Sequence, residues 1–160
     1  MKVGIGFDSH RLVNGRSLIL GGVEISNDKG LLGHSDADVL LHTICDAILG
    51  ALGEGDIGRH FPDTDPAYKD ISSMKLLMIV KALANKKGYI INNIDATVIL
   101  EKPKLKGYVH KMIHNISEVL GIDEDMINIK ATTNEGMGFI GRGEGIAAFA
   151  VVSIRKEDSI

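Results

Sequence analysis

Asp8, His10 and His42 are the residues whose types and spacing could do chemistry here. Asp8 and His10 lie two positions apart after the alternating Val3, Ile5 and Phe7, and His42 falls in a run with helical spacing. In an extended chain, residues i and i+2 project from the same face, so one carboxylate and one imidazole can converge. A third ligand from a nearby helix would leave one tetrahedral position open, as in a catalytic zinc site. Taken alone, Asp-x-His also fits a strand end that carries two solvated polar side chains.

Other segments hold candidate chemistry of lower specificity. Asp38, His42 and Asp46 are spaced four apart and share one helical face. That pattern suits a ligand histidine whose second ring nitrogen is oriented by an acid, and it equally suits a solvent-facing polar stripe. His34 and Ser35 are expected at a helix start, with Ser35 as N-cap, where free N–H groups can also hold a phosphate. The loop Gly53–Asp65 is long and acidic but lacks the spacing of a calcium loop; it reads as a functional loop or as a mobile surface loop. Residues 131–145 join hydroxyls, glycines and Glu135 after a strand, which suits phosphate with a magnesium-type cation and also suits a plain Gly-rich hairpin. They form neither a P-loop nor a dinucleotide fingerprint. Leu100–Lys106 sets three lysines beside Pro103, as an anion-facing loop or a solvated helix start. His60, His110 and His114 lack convincing partners in the pattern, although the last two lie four apart.

Positioning these groups requires strands and helices in alternation. Strands are expected at Met1–Phe7, Ser17–Val23, Tyr89–Glu101, Ile127–Ala131 and Ile146–Ile154, the first two paired through an Asn14-Gly15 turn. Helices are expected from about 35 to 49 (apolar at Ala37, Leu40, Leu41, Ile44, Cys45, Ile48 and Leu49), over Ile71–Asn85 with Asp70 as N-cap, and over Lys104–Leu120 with Gly121 as stop. Gly50–Pro66 has no periodicity and reads as loop. The order predicts a single α+β domain over residues 1–160, a mixed sheet with helices packed on one face.

Composition narrows the class. A chain of 160 residues can bury roughly 68–70% of its unfolded surface in a single core. A net charge of −3 with 4% aromatics leaves neither a basic patch nor stacking platforms, so no nucleic-acid partner is expected. The lone Cys45 sits on an apolar helical position, so it reads as core rather than as half of a disulfide. No run approaches the ~18 apolar residues of a membrane span, and the first residues read as strand, not as a targeting segment. A soluble protein of a reducing compartment is expected.

Four segments in order, Gly6–His10, Gly33–Val39 with His42, Gly55–Pro66 and Lys130–Ala147, closely resemble the 2-C-methyl-D-erythritol 2,4-cyclodiphosphate synthases. The resemblance runs from the first residues to about Val152. It implies a CMP-releasing phosphorus–oxygen lyase of the non-mevalonate isoprenoid (terpenoid) pathway. In that reaction the 2-phosphate of 4-diphosphocytidyl-2-C-methyl-D-erythritol 2-phosphate attacks the β-phosphorus and closes a cyclic diphosphate. The alternatives left beside it are a zinc-dependent phosphodiesterase and a non-catalytic module that binds isoprenoid diphosphates.

Carried onto this sequence, the resemblance implies zinc at Asp8, His10 and His42, and magnesium or manganese at Glu135 bridging the diphosphate. His34 and Thr133 would stabilise the transition state, assisted by Ser35. Substrate contacts would come from Asp8, Ser9, His10, His34 and Ser35, from Asp56, Ile57, Gly58, Phe61, Pro62, Asp63, Thr64 and Asp65 around the methylerythritol, and from Thr133, Asn134 and Glu135. Leu100, Glu101, Lys102, Pro103, Lys104, Leu105 and Lys106, with Ala131 and Thr132, would form the cytidine pocket, largely through backbone groups. Phe139 and Arg142 match positions lining the central cavity of a homotrimer, where an isoprenoid diphosphate can bind. Asn134 departs from the Thr or Ser of the family pattern, but each of these supplies a small polar group.

Overall fold

The computed structural model describes residues 1–157, so residues 158–160 of the expected domain lie outside the described residues. Two long strands set the frame: β1 (Lys2–Asn14) and β7 (Gly145–Lys156) pair antiparallel from Lys2↔Ile154 to Arg11↔Gly145. Beyond β7 lie β5 (Tyr89–Ile99), antiparallel to it, and β6 (Ile127–Thr132), parallel to β5. On the other side of β1 runs β4 (Lys29–Leu31), which completes a mixed five-stranded sheet in the order β4-β1-β7-β5-β6. The expected pairing of β1 with residues 17–23 does not form. Instead β2 (Leu18–Leu20) and β3 (Val23–Ile25) make a small separate hairpin. Gly21 and Gly22 turn it with φ of 58° and 70°, a conformation that glycine adopts without the Cβ clash.

Helices α1 (Val39–Leu52), α3 (Ser73–Lys86) and α4 (Val109–Leu120) cover one face of the sheet, as expected from the sequence. Short helical turns, α2 (Ile57–His60) and α5 (Gly138–Gly141), lie in the long loops. Helix α1 is apolar almost all round and buried almost all round, because it sits between the sheet and α3. Truncating one of its fully buried residues, such as Ile48→Ala, is expected to cost about 2–5 kcal/mol.

Several boundaries move. The N-cap of α1 is Asp38, not Ser35, and the N-cap of α3 is Ser72, not Asp70. Helix α4 starts at Val109 rather than Lys104, and it ends at Gly121 in the left-handed conformation as expected. Cys45 is buried in the core and its thiol pKa is pushed up by burial.

The side-chain alternation of β1 carries one inversion. Val3, Ile5 and Phe7 are more than half exposed, at 63%, 70% and 51%, and face away from the helices. Gly4, Gly6, Asp8 and His10 face α1 instead, since residues two apart share a face. Asp8 and His10 therefore lie within the strand, under the helical layer, and not at its solvated end.

A candidate metal centre and its adjoining cavities

Strand β1 supplies Asp8 and His10, and α1 supplies His42 one turn after its start. Asp8 Oδ2 lies 2.8 Å from His10 Nε2 and 3.1 Å from His42 Nδ1, and the two ring nitrogens are 3.1 Å apart. Among the described residues this is the single group of three or more His, Cys, Asp or Glu side chains placed to hold a metal ion. Burial disfavours charge on Asp8, but its bonds to His10 and His42 outweigh that and hold its carboxyl well below the usual range. For His10, burial opposes the charged ring while the Asp8 carboxylate and the Leu32 carbonyl raise its pKa.

The donor set fits a borderline cation such as zinc. Both imidazoles present one nitrogen inward and have the other tied down, and the carboxylate is ionised. Tetrahedral ligands with bonds of ~2.0–2.1 Å stand about 3.3 Å apart. The observed separations are a few tenths of an ångström shorter, as expected for groups that share a proton. His10 Nδ1–H donates to the Leu32 carbonyl at 2.8 Å, leaving Nε2 to face the centre. His42 Nε2 faces Ser35 Oγ at 3.0 Å and Ser73 Oγ at 2.9 Å.

This corrects the expected role of the two helical acids. Asp38 is fully buried and accepts from Gly21 N, Gly22 N and Leu41 N, tying the β2–β3 turn to the start of α1. Asp46 accepts from Ile57 N at 2.6 Å and so fastens α2 to α1. Neither orients His42, and the stripe is not solvent-facing. The α1 N-terminus is filled by the Asp38 carboxylate rather than open to phosphate.

A cavity of about 270 Å³ opens beside the triad, lined by His10, His34, Ser35, His42, Ile57, Gly58, Phe61 and Asp63 among others. Its walls unite segments expected on sequence to form a site. Tyr68, Ile71 and Leu76 also line it and were not foreseen. His34 Nε2–H donates to the Asp65 carbonyl at 3.1 Å, which pins the acidic loop over this cavity. Asp56 caps α2 through Arg59 N, and Asp65 caps the turn at Pro66–Tyr68 through Ala67 N.

A second cavity, again about 270 Å³, is lined by Leu100, Glu101, Pro103, Lys104, Leu105, Lys106, Ala131, Thr132 and Thr133. Glu101 turns its carboxylate inward to accept from Asn134 N at 2.9 Å, so it shapes the 133–136 turn. Glu135 stands exposed there with Oε1 3.3 Å from Thr133 Oγ1. A lone exposed carboxylate suits a magnesium-type ion that takes its remaining ligands from substrate oxygens and water. The triad and the 100–106 loop line different cavities of the chain. Ser9 and Phe139 flank a third hollow with His10, and Arg142 pairs with Glu144 at 2.8 Å. His60 donates to the Glu54 carbonyl, while His110 and His114 pair with Glu124 on the surface.

Backbone strain collects at these places. The non-glycine residues with positive φ among the described residues are Ala37, Asp70 and Glu135, at 57°, 55° and 53°. Such conformations cost of order 1–3 kcal/mol each and persist where surrounding contacts impose them.

The YgbB family model matches residues 1–155. The chain belongs to this family. It is 61% identical over 157 residues to the 2-C-methyl-D-erythritol 2,4-cyclodiphosphate synthase of Geotalea uraniireducens, covering 98% of this chain and 100% of that one. The enzyme of that name from Bacillus subtilis is 59% identical over 155 residues, covering 97% and 98%. Among solved structures, the IspF–CDP complex from Plasmodium falciparum superposes with a TM-score of 0.86 at 39% identity, covering 98% of this chain and 97% of that one. The bifunctional IspDF from Campylobacter jejuni gives 0.95 at 46% identity over 98% of this chain, which spans 42% of that longer protein. The superposition on the Plasmodium structure supports the α+β fold, and no helix among the described residues is long and apolar enough to cross a membrane.

Proposed function

We propose that this protein is a single-domain cyclodiphosphate synthase. It would convert 4-diphosphocytidyl-2-C-methyl-D-erythritol 2-phosphate to 2-C-methyl-D-erythritol 2,4-cyclodiphosphate and CMP in the non-mevalonate pathway of a bacterial cytoplasm. The observation that carries the reading is the convergence of Asp8, His10 and His42 at the mouth of a cavity walled by His34, Ser35 and the 57–63 loop. Synthases of this name about 60% identical to the chain support it.

The chemical problem is to bring two anionic phosphates together, so positioning and charge neutralisation dominate. The 57–65 loop seats the methylerythritol, and its carboxylates accept from sugar hydroxyls. Loop 100–106 with Ala131 and Thr132 takes the cytidine through backbone groups, in keeping with the CDP bound by the Plasmodium relative. His34 and Thr133, assisted by Ser35, stabilise the transition state at the reacting phosphorus as charge shifts onto the leaving CMP. When bound, zinc at Asp8, His10 and His42 and magnesium or manganese at Glu135 supply Lewis-acid charge to the diphosphate oxygens.

The working unit is a homotrimer with sites between subunits. Two observations support this: the uncovered apolar face of Val3, Ile5, Phe7, Phe149 and Val151, and the separation of the triad cavity from the 100–106 cavity. A second copy laid against that face would bring one subunit's triad to the other's nucleotide loop. Phe139 and Arg142 would line the trimer's central cavity, a place for an isoprenoid diphosphate.

Incubation with the cytidyl diphosphate substrate and magnesium should release CMP together with the cyclic diphosphate. CMP accompanied by linear phosphates alone would instead establish a phosphodiesterase. Ligand binding without turnover would establish a binding module.

A further inference from the structure

We propose that Asp36 and Ser73 are positioning residues for His42, selecting the ring tautomer whose Nδ1 lone pair faces Asp8 and His10. The inference rests on the reading of the triad as a metal site and extends it to residues that touch neither substrate nor ion.

The direction of each hydrogen bond follows from what its ends can do. An ionised Asp36 carboxylate only accepts, so the Ser73 hydroxyl, 2.5 Å from Asp36 Oδ1, donates to it. That spends the one hydroxyl proton of Ser73, and its oxygen faces His42 Nε2 at 2.9 Å with lone pairs only. His42 Nε2 therefore carries the hydrogen and donates. In a neutral imidazole the other nitrogen is then bare, and Nδ1 is the atom 3.1 Å from both Asp8 Oδ2 and His10 Nε2. Ser35 Oγ already accepts from Ala37 N and offers the same Nε2–H a second acceptor at 3.0 Å.

The relay is held from every side. Asp36 also accepts from Ser73 N at 3.0 Å and Asp38 N at 3.2 Å, and its own N–H donates to the Ile71 carbonyl at 3.0 Å. Ser73 is fully buried. Its hydroxyl is not the cap of α3, since Ser72 Oγ takes that role by accepting from Met74 N. What the Leu32 carbonyl does for His10, the Asp36–Ser73 pair does for His42. Outer partners of this kind change metal affinity by about 10–100-fold when removed.

The test compares full-length wild type with Ser73→Ala, with Ser73→Thr, which keeps the hydroxyl, and with Ser72→Ala, which removes the neighbouring cap. Zinc affinity is read by chelator competition, ligand geometry by the visible spectrum of the cobalt-loaded protein, and the tautomer by imidazole nitrogen shifts of metal-free protein. The shifts are taken at about pH 9, where an ordinary imidazole is neutral.

Ser73→Ala should weaken zinc binding about 10–100-fold and alter the cobalt spectrum. Ser73→Thr should recover most of that loss, and Ser72→Ala should match wild type. Wild-type affinity and spectrum in Ser73→Ala would overturn the proposal. So would a metal-free wild type whose His42 proton sits on Nδ1, a result that needs no variant to fold. A wild type that takes up no zinc at all would overturn the metal reading itself, and the nitrogen shifts would still decide the tautomer.

Discussion

Gly6 lies beneath the Thr43 carbonyl so closely that a methyl group on it would stand 2.0 Å from that oxygen. Gly4 meets Ala47 in the same way, at 1.9 Å. Helix α1 thus rests on the bare backbone of β1, and this close approach lets His42, next to Thr43, reach Asp8 two residues along the strand. Gly6→Ala should push the helix away or strain it, costing about 1–3 kcal/mol or more in stability. It should also weaken metal binding although no ligand is altered. Denaturant unfolding and metal titration on the same preparation check both effects.

Removing a ligand should act on the metal without dissolving the fold. Asp8→Ala and His42→Ala are each expected to lose more zinc affinity than the 10–100-fold typical of an outer partner. Their far-ultraviolet circular dichroism should stay that of wild type. Metal analysis after dialysis checks the assignment; one zinc retained per subunit in both variants would show that the ligands lie elsewhere.

Metal binding should release protons. His10 holds its proton above the ordinary imidazole range through Asp8, and a cation at Nε2 has to displace that proton. Affinity should therefore rise as pH rises through the raised His10 titration, and flatten above it. Titration of zinc into weakly buffered protein should release a proton from this ring at pH values below its raised titration, and progressively less above it.

Asp38 gives stability a pH dependence of the opposite sense to a paired carboxylate. Burial pushes its pKa up to about 6 from an ordinary 3.8, while backbone N–H groups of Gly22, Leu41 and Gly21 hold the charged form. As pH falls from about 6 to about 4 the folded protein takes up a proton that the unfolded chain does not. Its contribution is complete below the unfolded value and is lost as pH rises through about 6, up to about 3 kcal/mol. Unfolding free energies of wild type and Asp38→Asn across this range should diverge accordingly. Asp38→Ala, which strands the three donors of Gly21, Gly22 and Leu41, should cost about 3 kcal/mol or more at any pH.

The parts of this molecule that were legible in the sequence are those written in local patterns. The long helices, strands β1, β5, β6 and β7 and the Asp8–His10 convergence follow from periods of 3.6 and 2. The period did not say which face of β1 is covered. Val3, Ile5 and Phe7 look like a core stripe, yet α1 packs on Gly4 and Gly6, because close approach to a helix favoured the side without side chains. Asp38 and Asp46 looked like partners of His42 by spacing alone, but each is drawn to a backbone donor brought in from another segment. Ser73 was invisible for the same reason: its bond to His42 spans 31 positions. The Ser35-Asp36 pair was on view, but its meaning depended on a residue of α3.

The cyclase reading is tested most directly by running the reaction in water enriched in oxygen-18 and following products by phosphorus NMR and mass spectrometry. Intramolecular attack of the 2-phosphate on the β-phosphorus should yield the cyclic diphosphate and CMP, neither carrying solvent oxygen. One oxygen-18 per turnover in a linear phosphate product, with no cyclic diphosphate formed, would contradict it.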